Sequence, residues 1–191
     1  TAPINPWKSL PFFLVHLAAL SVFLFPFSWK WVALCVGSYY LRMFAITAGY
    51  HRYFSHRSYK MNRVGQFLMA FLGTTSVQKG ALWWAANHRY HHKHSDEPID
   101  LHSPKQHGFW WAHVGWVLSG AYGVTDYDSI DDFAKYPELV WLNKHDWVAP
   151  WTLAALCFLV GGWSGLVVGF LLSTIVLWHT TFLVNSVAHV F

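Results

Sequence analysis

Apolar residues are concentrated in two regions, one towards each end of the chain, and each region divides into two runs. A helix that crosses the hydrocarbon core of a bilayer needs about 20 mostly apolar residues. The runs that approach this length are Leu10 to Phe27, Trp29 to Tyr50, Trp147 to Val160 and Leu166 to Val190. Only short turns separate the two runs of each region. The pattern therefore predicts four membrane-spanning helices in two hairpins, over residues 10–50 and 147–190.

The intervening segment, residues 51–146, is polar and predicts a cap outside the bilayer. Val64 to Thr75 has a helical apolar pattern but is too short to cross, so we expect it along the interface. Basic residues crowd the start of the cap, at Arg52, Arg57, Lys60 and Arg63. Positive loops stay in the cytoplasm. We therefore expect one all-α integral membrane domain over residues 1–191, multi-pass, with a cytoplasmic cap.

Three residues inside the apolar runs need separate interpretation. Cys35 and Cys157 form no paired motif, and we expect both to be small buried hydrophobes. Arg42 lies inside the second run. Its long side chain is expected to snorkel to the lipid headgroups, and the alternative is a polar site within the helix bundle.

Composition supports the membrane interpretation. The chain is 54% hydrophobic and only 12% charged, about half the charged share of a soluble domain. That deficit excludes a disordered chain and argues against a soluble fold. The net charge is +4 and the pI is about 9.1, but the basic residues punctuate apolar runs instead of forming a polar face. We therefore expect no nucleic-acid partner.

Histidines carry the candidate chemistry, since the chain has 13 of them. His51 and His56 have an HxxxxH spacing, which no regular helix places on one face, so we expect them to straddle a helix end. His88, His91 and His92 have an HxxHH spacing. Positions i, i+3 and i+4 share one helix face, so these three are expected to converge on a single point.

The last apolar run carries three further polar residues at helical spacing, Thr181, Asn185 and His189. Such residues are costly on an apolar helix unless something binds them. Imidazole is a ligand for iron, zinc, copper or nickel, and six histidines with Asn185 exceed the ligand set of one metal. The sequence therefore predicts two metal ions, suited to oxygen chemistry on unactivated carbon.

The remaining histidines are expected to play other roles. His16, His145 and His179 are interpreted as hydrogen-bonded core residues. We expect four others either to hydrogen-bond the metal ligands from outside or to lie at the surface: His94, His102, His107 and His113.

These motifs resemble those of the membrane fatty acyl-CoA desaturases. The resemblance is carried by residues 51–60, 87–95 and 109–116 and by the Asn-Ser-Val-Ala-His motif at 185–189. It implies four transmembrane helices beneath a cytoplasmic cap and O₂-dependent Δ9-type desaturation at a non-haem di-iron centre, in fatty acid biosynthesis. The implied iron ligands are His51, His56, His88, His91, His92 and His189, with Asn185 acting through a water.

The resemblance also implies substrate and partner roles. Gln78, Trp84 and Thr181 match residues that shape the kinked acyl tunnel, and Tyr39 and Met43 match positions near its floor. An acyl-CoA is favoured over an acyl-lipid as substrate, although the segment 117–146 has few basic residues for phosphates. Electrons are expected from cytochrome b5, a ferredoxin or a reductase, because no flavin or haem motif is present.

The family carries another HxxHH box downstream of the Asn-Ser-x-x-His motif, and this sequence stops before it. We therefore expect the chain to be incomplete at its C-terminus. The alternatives are a related di-iron lipid or alkane hydroxylase, and a membrane metal transporter or bis-His haem protein. A transporter or haem protein would place its ligands at mid-bilayer, whereas these histidines lie at predicted helix ends.

Overall fold

The computed structural model describes residues 2–187, and every regular element within that range is a helix or helical turn. The principal α-helices are α1 (Pro6–Ala19), α2 (Trp29–Phe44), α3 (Arg63–Thr74), α4 (Ala81–Lys93), α5 (Pro104–His107), α6 (Trp116–Ser119), α7 (Asp131–Ala134), α8 (Pro137–Lys144), α9 (Val148–Ser164) and α10 (Ser173–Ser186). Tighter 3₁₀ turns lie at Leu20–Leu24 and Asp128–Ile130, and wider π-helical turns at Ala45–Ser55, Trp111–Gly115 and Gly165–Leu172. The expected all-α fold is confirmed for the described residues.

Within the described residues, three helical stretches are long and apolar enough to cross a membrane, Pro6–Leu24, Trp29–Ser55 and Val148–Ser186. The first begins four residues before the predicted Leu10. The Asn5 side chain caps it by accepting a hydrogen bond from the Lys8 N–H at 3.1 Å, and Pro6 occupies the first turn, where no N–H is needed. The second extends beyond the predicted Tyr50 because its last eleven residues widen into a π-helix.

The third apolar helix is broken at Gly162, whose φ of 57° and ψ of −144° are not helical. This residue lies in the segment 161–165 that the sequence marks as a turn. The backbone at Gly165 packs directly against the backbone at Cys157, so that any Cβ at Gly165 would collide with the Cys157 carbonyl oxygen. In a straight helix, two residues at this separation of eight positions would lie about 12 Å apart. The chain therefore changes direction at Gly162.

The cap packs around the π-helical end of the second apolar helix. Tyr50 and Phe54 from this segment are fully buried against Leu82 of α4 and Leu142 of α8. The predicted helix at Val64 to Thr75 is confirmed as α3, and ion pairs tie the cap together. They join Arg63 to Glu138 at 2.6 Å, Arg89 to Asp132 at 2.9 Å and Arg57 to Asp132 at 2.8 Å.

Arg42 does not snorkel, so that expectation is wrong. Its side chain is fully buried and donates hydrogen bonds to the Thr75 carbonyl at 3.3 Å and to the Thr174 hydroxyl at 2.7 Å. Further bonds go to the Ser173 hydroxyl and the Ser38 carbonyl. The bundle therefore supplies the acceptors that headgroups would otherwise provide. Cys157 is buried, Cys35 is half-buried, and both are free thiols.

Candidate metal centre

Four histidine side chains converge at the junction between the second apolar helix and the cap. The Nε2 atom of His56 lies 3.2 Å from that of His51 and 3.3 Å from that of His88. The Nε2 atoms of His88 and His92 are 3.0 Å apart. One nitrogen from each ring lies within 4.8 Å of the others, so the four can surround a single point.

The π-helical segment Ala45–Ser55 explains how His51 and His56 meet. In a π-helix the backbone hydrogen bond runs from residue i+5 to residue i, so these two positions fall on the same face. The His56 N–H accordingly donates to the His51 carbonyl at 3.1 Å. His56 also terminates the segment, which confirms that the pair straddles a helix end. The wider turn itself was not expected from the sequence.

The second histidine motif divides between two directions. His88 and His92 join the four-histidine group, but His91 turns away, and its Nδ1 lies 2.8 Å from Oδ1 of Asp100. The expectation that all three converge on a single point is therefore wrong for His91. Successive helical residues are rotated by about 100°, so positions i+3 and i+4 point to opposite sides of position i.

His91, Asp100 and His102 form a second group, in which all three residues are buried. Asp100 Oδ2 accepts a hydrogen bond from the Asp96 N–H at 2.9 Å, and the rings of His91 and His102 lie 4.2 Å apart between centroids. Burial acts to raise the pKa of Asp100, but the hydrogen bonds from His91 and the Asp96 N–H outweigh it and lower the pKa to about 2. Asp100 is therefore a carboxylate at neutral pH.

Sequence reasoning missed Asp100 and gave His102 only an outer or surface role. No periodicity connects them to His91, because an irregular segment separates them from α4. The available signal was an acid two residues before a histidine, close behind the HxxHH spacing.

The four-histidine group is electrostatically suited to a cation. Burial, followed by the neighbouring imidazoles of His92, His51 and His56, lowers the pKa of His88 to about 2. A neutral imidazole keeps the lone pair that a transition metal requires. Nitrogen ligands at this mutual spacing, with a carboxylate oriented on a fifth imidazole, fit the histidine-box type of iron site.

A cavity of about 590 Å³ adjoins the group, between α1, α4, α10 and the segment after α6. His88 lines it, as do three of the predicted substrate residues, Gln78, Trp84 and Thr181. Trp84 stacks on His88 with ring centroids 4.7 Å apart. Gln78 Nε2 donates a hydrogen bond to Thr181 Oγ1 at 3.1 Å, so a polar bridge lies in the cavity wall.

The remaining predicted site residues are placed differently. Asn185 lines the same cavity as Thr181, whereas His189 falls outside the described residues. Tyr39 and Met43 do not line the cavity. They pack against the apolar cluster of Leu177, Trp178 and Phe182, and the Tyr39 hydroxyl lies 3.4 Å from that of Thr180. They therefore lie one layer behind the cavity wall.

Three other histidines form a chain that the sequence did not indicate. His16 Nε2 lies 3.1 Å from His179 Nε2, and His179 Nδ1 lies 3.1 Å from His113 Nε2. His16, His145 and His179 are hydrogen-bonded as expected, since His145 Nδ1 lies 2.8 Å from the Trp141 carbonyl, but all three are half-buried and not in the core. Hydrogen bonds are also made by His94 to Glu97 and by His107 to the Asp100 carbonyl.

The chain is similar to proteins of one known family. The family model described as fatty acid desaturase matches residues 27–191. The sn-2 palmitoyl-lipid 9-desaturase of Nostoc sp. (strain 36) is 32% identical over 98% of this chain and 68% of its own length. The sn-1 stearoyl-lipid 9-desaturase of Anabaena variabilis is 34% identical over 100% of this chain and 71% of its own length.

A plant relative, the acyl-CoA C20 Δ5-desaturase of Anemone leveillei, is 34% identical over 85% of this chain. The match covers 53% of that relative, so the chain spans from about half to about seven tenths of the length of these proteins. The family match includes both histidine motifs, the cavity residues Gln78, Trp84 and Thr181, and the apolar helix Val148–Ser186. On this evidence the chain belongs to the fatty acid desaturase family.

Proposed function

We propose that the protein introduces a double bond into a long-chain acyl group at a non-haem di-iron centre. The observation that carries this proposal is the convergence of His51, His56, His88 and His92 beside a cavity that can hold an alkyl chain. Two hydrogens leave adjacent methylenes, and one O₂, two electrons and two protons complete the conversion to two waters. Bound iron would supply the activation of O₂.

The proposed ligands are the five histidines of the two motifs, together with His189 and with Asn185 acting through a water. His91 is included because a carboxylate on Nδ1 is the usual way of orienting a metal-binding imidazole. The two groups of imidazoles, one containing His88 and the other containing His91, support a centre with two ions.

The chain's own residues would hold the substrate. The apolar part of the cavity wall would hold the acyl chain, and the bridge from Gln78 to Thr181, with Trp84, would force a bend in the chain close to His88. Tyr39 and Met43, from behind the wall, would limit chain length. A bend at a fixed distance from the carboxyl end accounts for desaturation of the Δ9 type.

The acyl carrier is proposed to bear phosphate. Lys8 and Lys79 both line the cavity, and ammonium groups pair with phosphates. An acyl-CoA is the form favoured by the sequence, and a glycerophospholipid shares this chemistry. The relatives are named as acyl-lipid and as acyl-CoA desaturases, so a lipid-linked and a CoA-linked acyl chain are offered separately in the assay. Electrons would come from cytochrome b5, a ferredoxin or a reductase.

Four membrane crossings in two hairpins are proposed, with residues 51–146 as a cytoplasmic cap. The break at Gly162 supports the fourth crossing. Exposed tryptophans support two interfaces, since Trp29 and Trp163 lie at the predicted outer turns and Trp147 lies at the cap side. Ser164→Cys and Lys144→Cys, each introduced after Cys35 and Cys157 are replaced by Ala, should be labelled from opposite sides of sealed vesicles. Labelling of both from one side would refute this topology.

The function is tested with the full-length protein, reconstituted in bilayers with iron, O₂ and a matched electron donor. We expect an alkene by mass spectrometry from one of the two carriers, with O₂ consumption. An alcohol product would instead identify the related di-iron hydroxylase. Zinc without iron, and no O₂ consumption, would contradict the proposal and favour a metal transporter.

A further inference from the structure

The segment between α3 and α4, residues 75–79, is tied to other elements at almost every position. Arg42 of α2 donates a hydrogen bond from Nη1 to the Thr75 carbonyl at 3.3 Å. Trp178 of α10 donates from Nε1 to the Ser76 carbonyl at 3.0 Å. Two carbonyls in succession are therefore fixed by side chains from two separate helices.

The other half of the segment is fixed in the same way. Gln78 Nε2 bonds to Thr181 Oγ1 at 3.1 Å, and the Tyr50 hydroxyl donates to the Lys79 carbonyl at 2.9 Å. Thr181 gives its own hydroxyl hydrogen to the Leu177 carbonyl, which leaves its oxygen as the acceptor for Gln78. Each of these ties reaches either α10 or the π-helical segment that carries His51.

Val77, between these ties, has an unfavourable backbone conformation. Its φ is 59°, and that of Lys79 is 63°. A β-branched residue in this left-handed region is a genuine outlier, because Cβ crowds the backbone. Such conformations persist only where the surroundings over-determine them. Val77 also lines the cavity, next to the bridge from Gln78 to Thr181.

Arg42 is the second unusual feature, as a fully buried cation in an apolar helix. Its guanidinium donates hydrogen bonds to carbonyl and hydroxyl oxygens. The guanidinium bonds Thr174 of α10 and the Thr75 carbonyl through the same nitrogen, Nη1. It therefore sets the distance between the segment that carries Gln78 and the helix that carries Thr181. Ionisable residues at such positions usually serve a site.

We propose that residues 75–79 form a strained clamp that decides where along the acyl chain the double bond is placed. Val77 is its specificity-determining residue, because its strained backbone presents Gln78 to Thr181. Arg42 is a positioning residue that acts through the Thr75 carbonyl. This inference rests on the proposed desaturation and extends it, since the bridge alone would not fix its own distance from the iron ligands.

The test compares Val77→Gly with Val77→Ala in the full-length protein. Both variants remove the γ-methyl groups from the cavity, but only glycine tolerates a φ of 59° without a penalty. We expect Val77→Gly to melt at a higher temperature than Val77→Ala. We also expect it to raise the share of misplaced double bonds roughly tenfold over Val77→Ala, because small displacements have large kinetic effects.

If the two variants give equal isomer ratios while the wild-type protein forms an alkene, the clamp is overturned and the proposed function remains intact. A wild type that forms no alkene would overturn both. If Val77→Gly melts at or below the temperature of Val77→Ala, the backbone at Val77 is not strained.

Arg42→Lys tests the positioning role. A lysine keeps the charge, but its single ammonium lacks the separate nitrogens with which Arg42 also bonds the Ser173 hydroxyl and the Ser38 carbonyl. We expect Arg42→Lys to raise the share of misplaced double bonds by a larger factor than it changes total turnover. An unchanged isomer ratio in a folded, active variant would overturn this role. If the variant does not fold, the Val77 pair decides the proposal alone.

Discussion

The orientation of His91 depends on the Asp100 carboxylate, which the structure keeps ionised and fully buried. Replacing Asp100 by Asn keeps the shape but removes the charge that fixes the His91 tautomer. Loss of such a partner typically weakens metal binding about 10–100-fold. We expect Asp100→Asn to lower iron retention by that factor during dialysis against a graded chelator, measured by elemental analysis.

The matched control is Asp128→Asn, since Asp128 is exposed in the same cap. It should retain wild-type iron. If Asp100→Asn also retained wild-type iron, His91 would not depend on the carboxylate, and the second histidine group would be a feature of folding alone.

At the scale of helices, the glycines around the break in the third apolar helix have separable roles. A Cβ at Gly162 meets no atom within 4 Å but imposes the penalty of a backbone with φ of 57° and ψ of −144°, about 1–3 kcal/mol. A Cβ at Gly165 collides with the backbone of Cys157. We expect Gly165→Ala to lower the melting temperature more than Gly162→Ala does.

Gly37→Ala is the control, because this α2 position has open space and a helical backbone. It should be neutral or stabilising by up to about 1 kcal/mol. A melting temperature unchanged by Gly165→Ala would mean that the chain does not pack upon itself after Gly162.

The ion pair between Arg63 of α3 and Glu138 of α8 makes a pH-dependent contribution to the stability of the fold. The hydrogen bond from Arg63 lowers the pKa of Glu138 to about 2, below the value of about 4.3 in an unfolded chain. The pair therefore stabilises the fold above about pH 4.3, and this contribution is lost as the pH falls towards 2.

Glu138→Gln should lower the melting temperature at pH 7, by at most about 4 °C because the pair is solvent-exposed. The difference from wild type should shrink between pH 4 and pH 2. The double variant Arg63→Gln with Glu138→Gln should lower the melting temperature by no more than either change alone. A difference that stays constant with pH would show that the Glu138 charge is not involved.

The helices and the two histidine motifs could be predicted from the sequence, because apolar length and residue spacing are local properties. It placed His51 and His56 at a helix end correctly, but the π-helical widening depends on packing against α3 and α4 and was not expected. Asp100 and the acceptors around Arg42 come from distant segments, so no spacing rule connects them.

For the molecule as a whole, the proposed desaturation requires iron held where the second apolar helix, the cap and the cavity meet. The most direct measurement is the iron-to-protein ratio of the full-length protein, compared between wild type, His88→Ala and the control His145→Ala. We expect two irons per protein in wild type and control, and the loss of both iron and alkene formation in His88→Ala. Full iron content in His88→Ala, or wild-type protein that binds no iron, would contradict it.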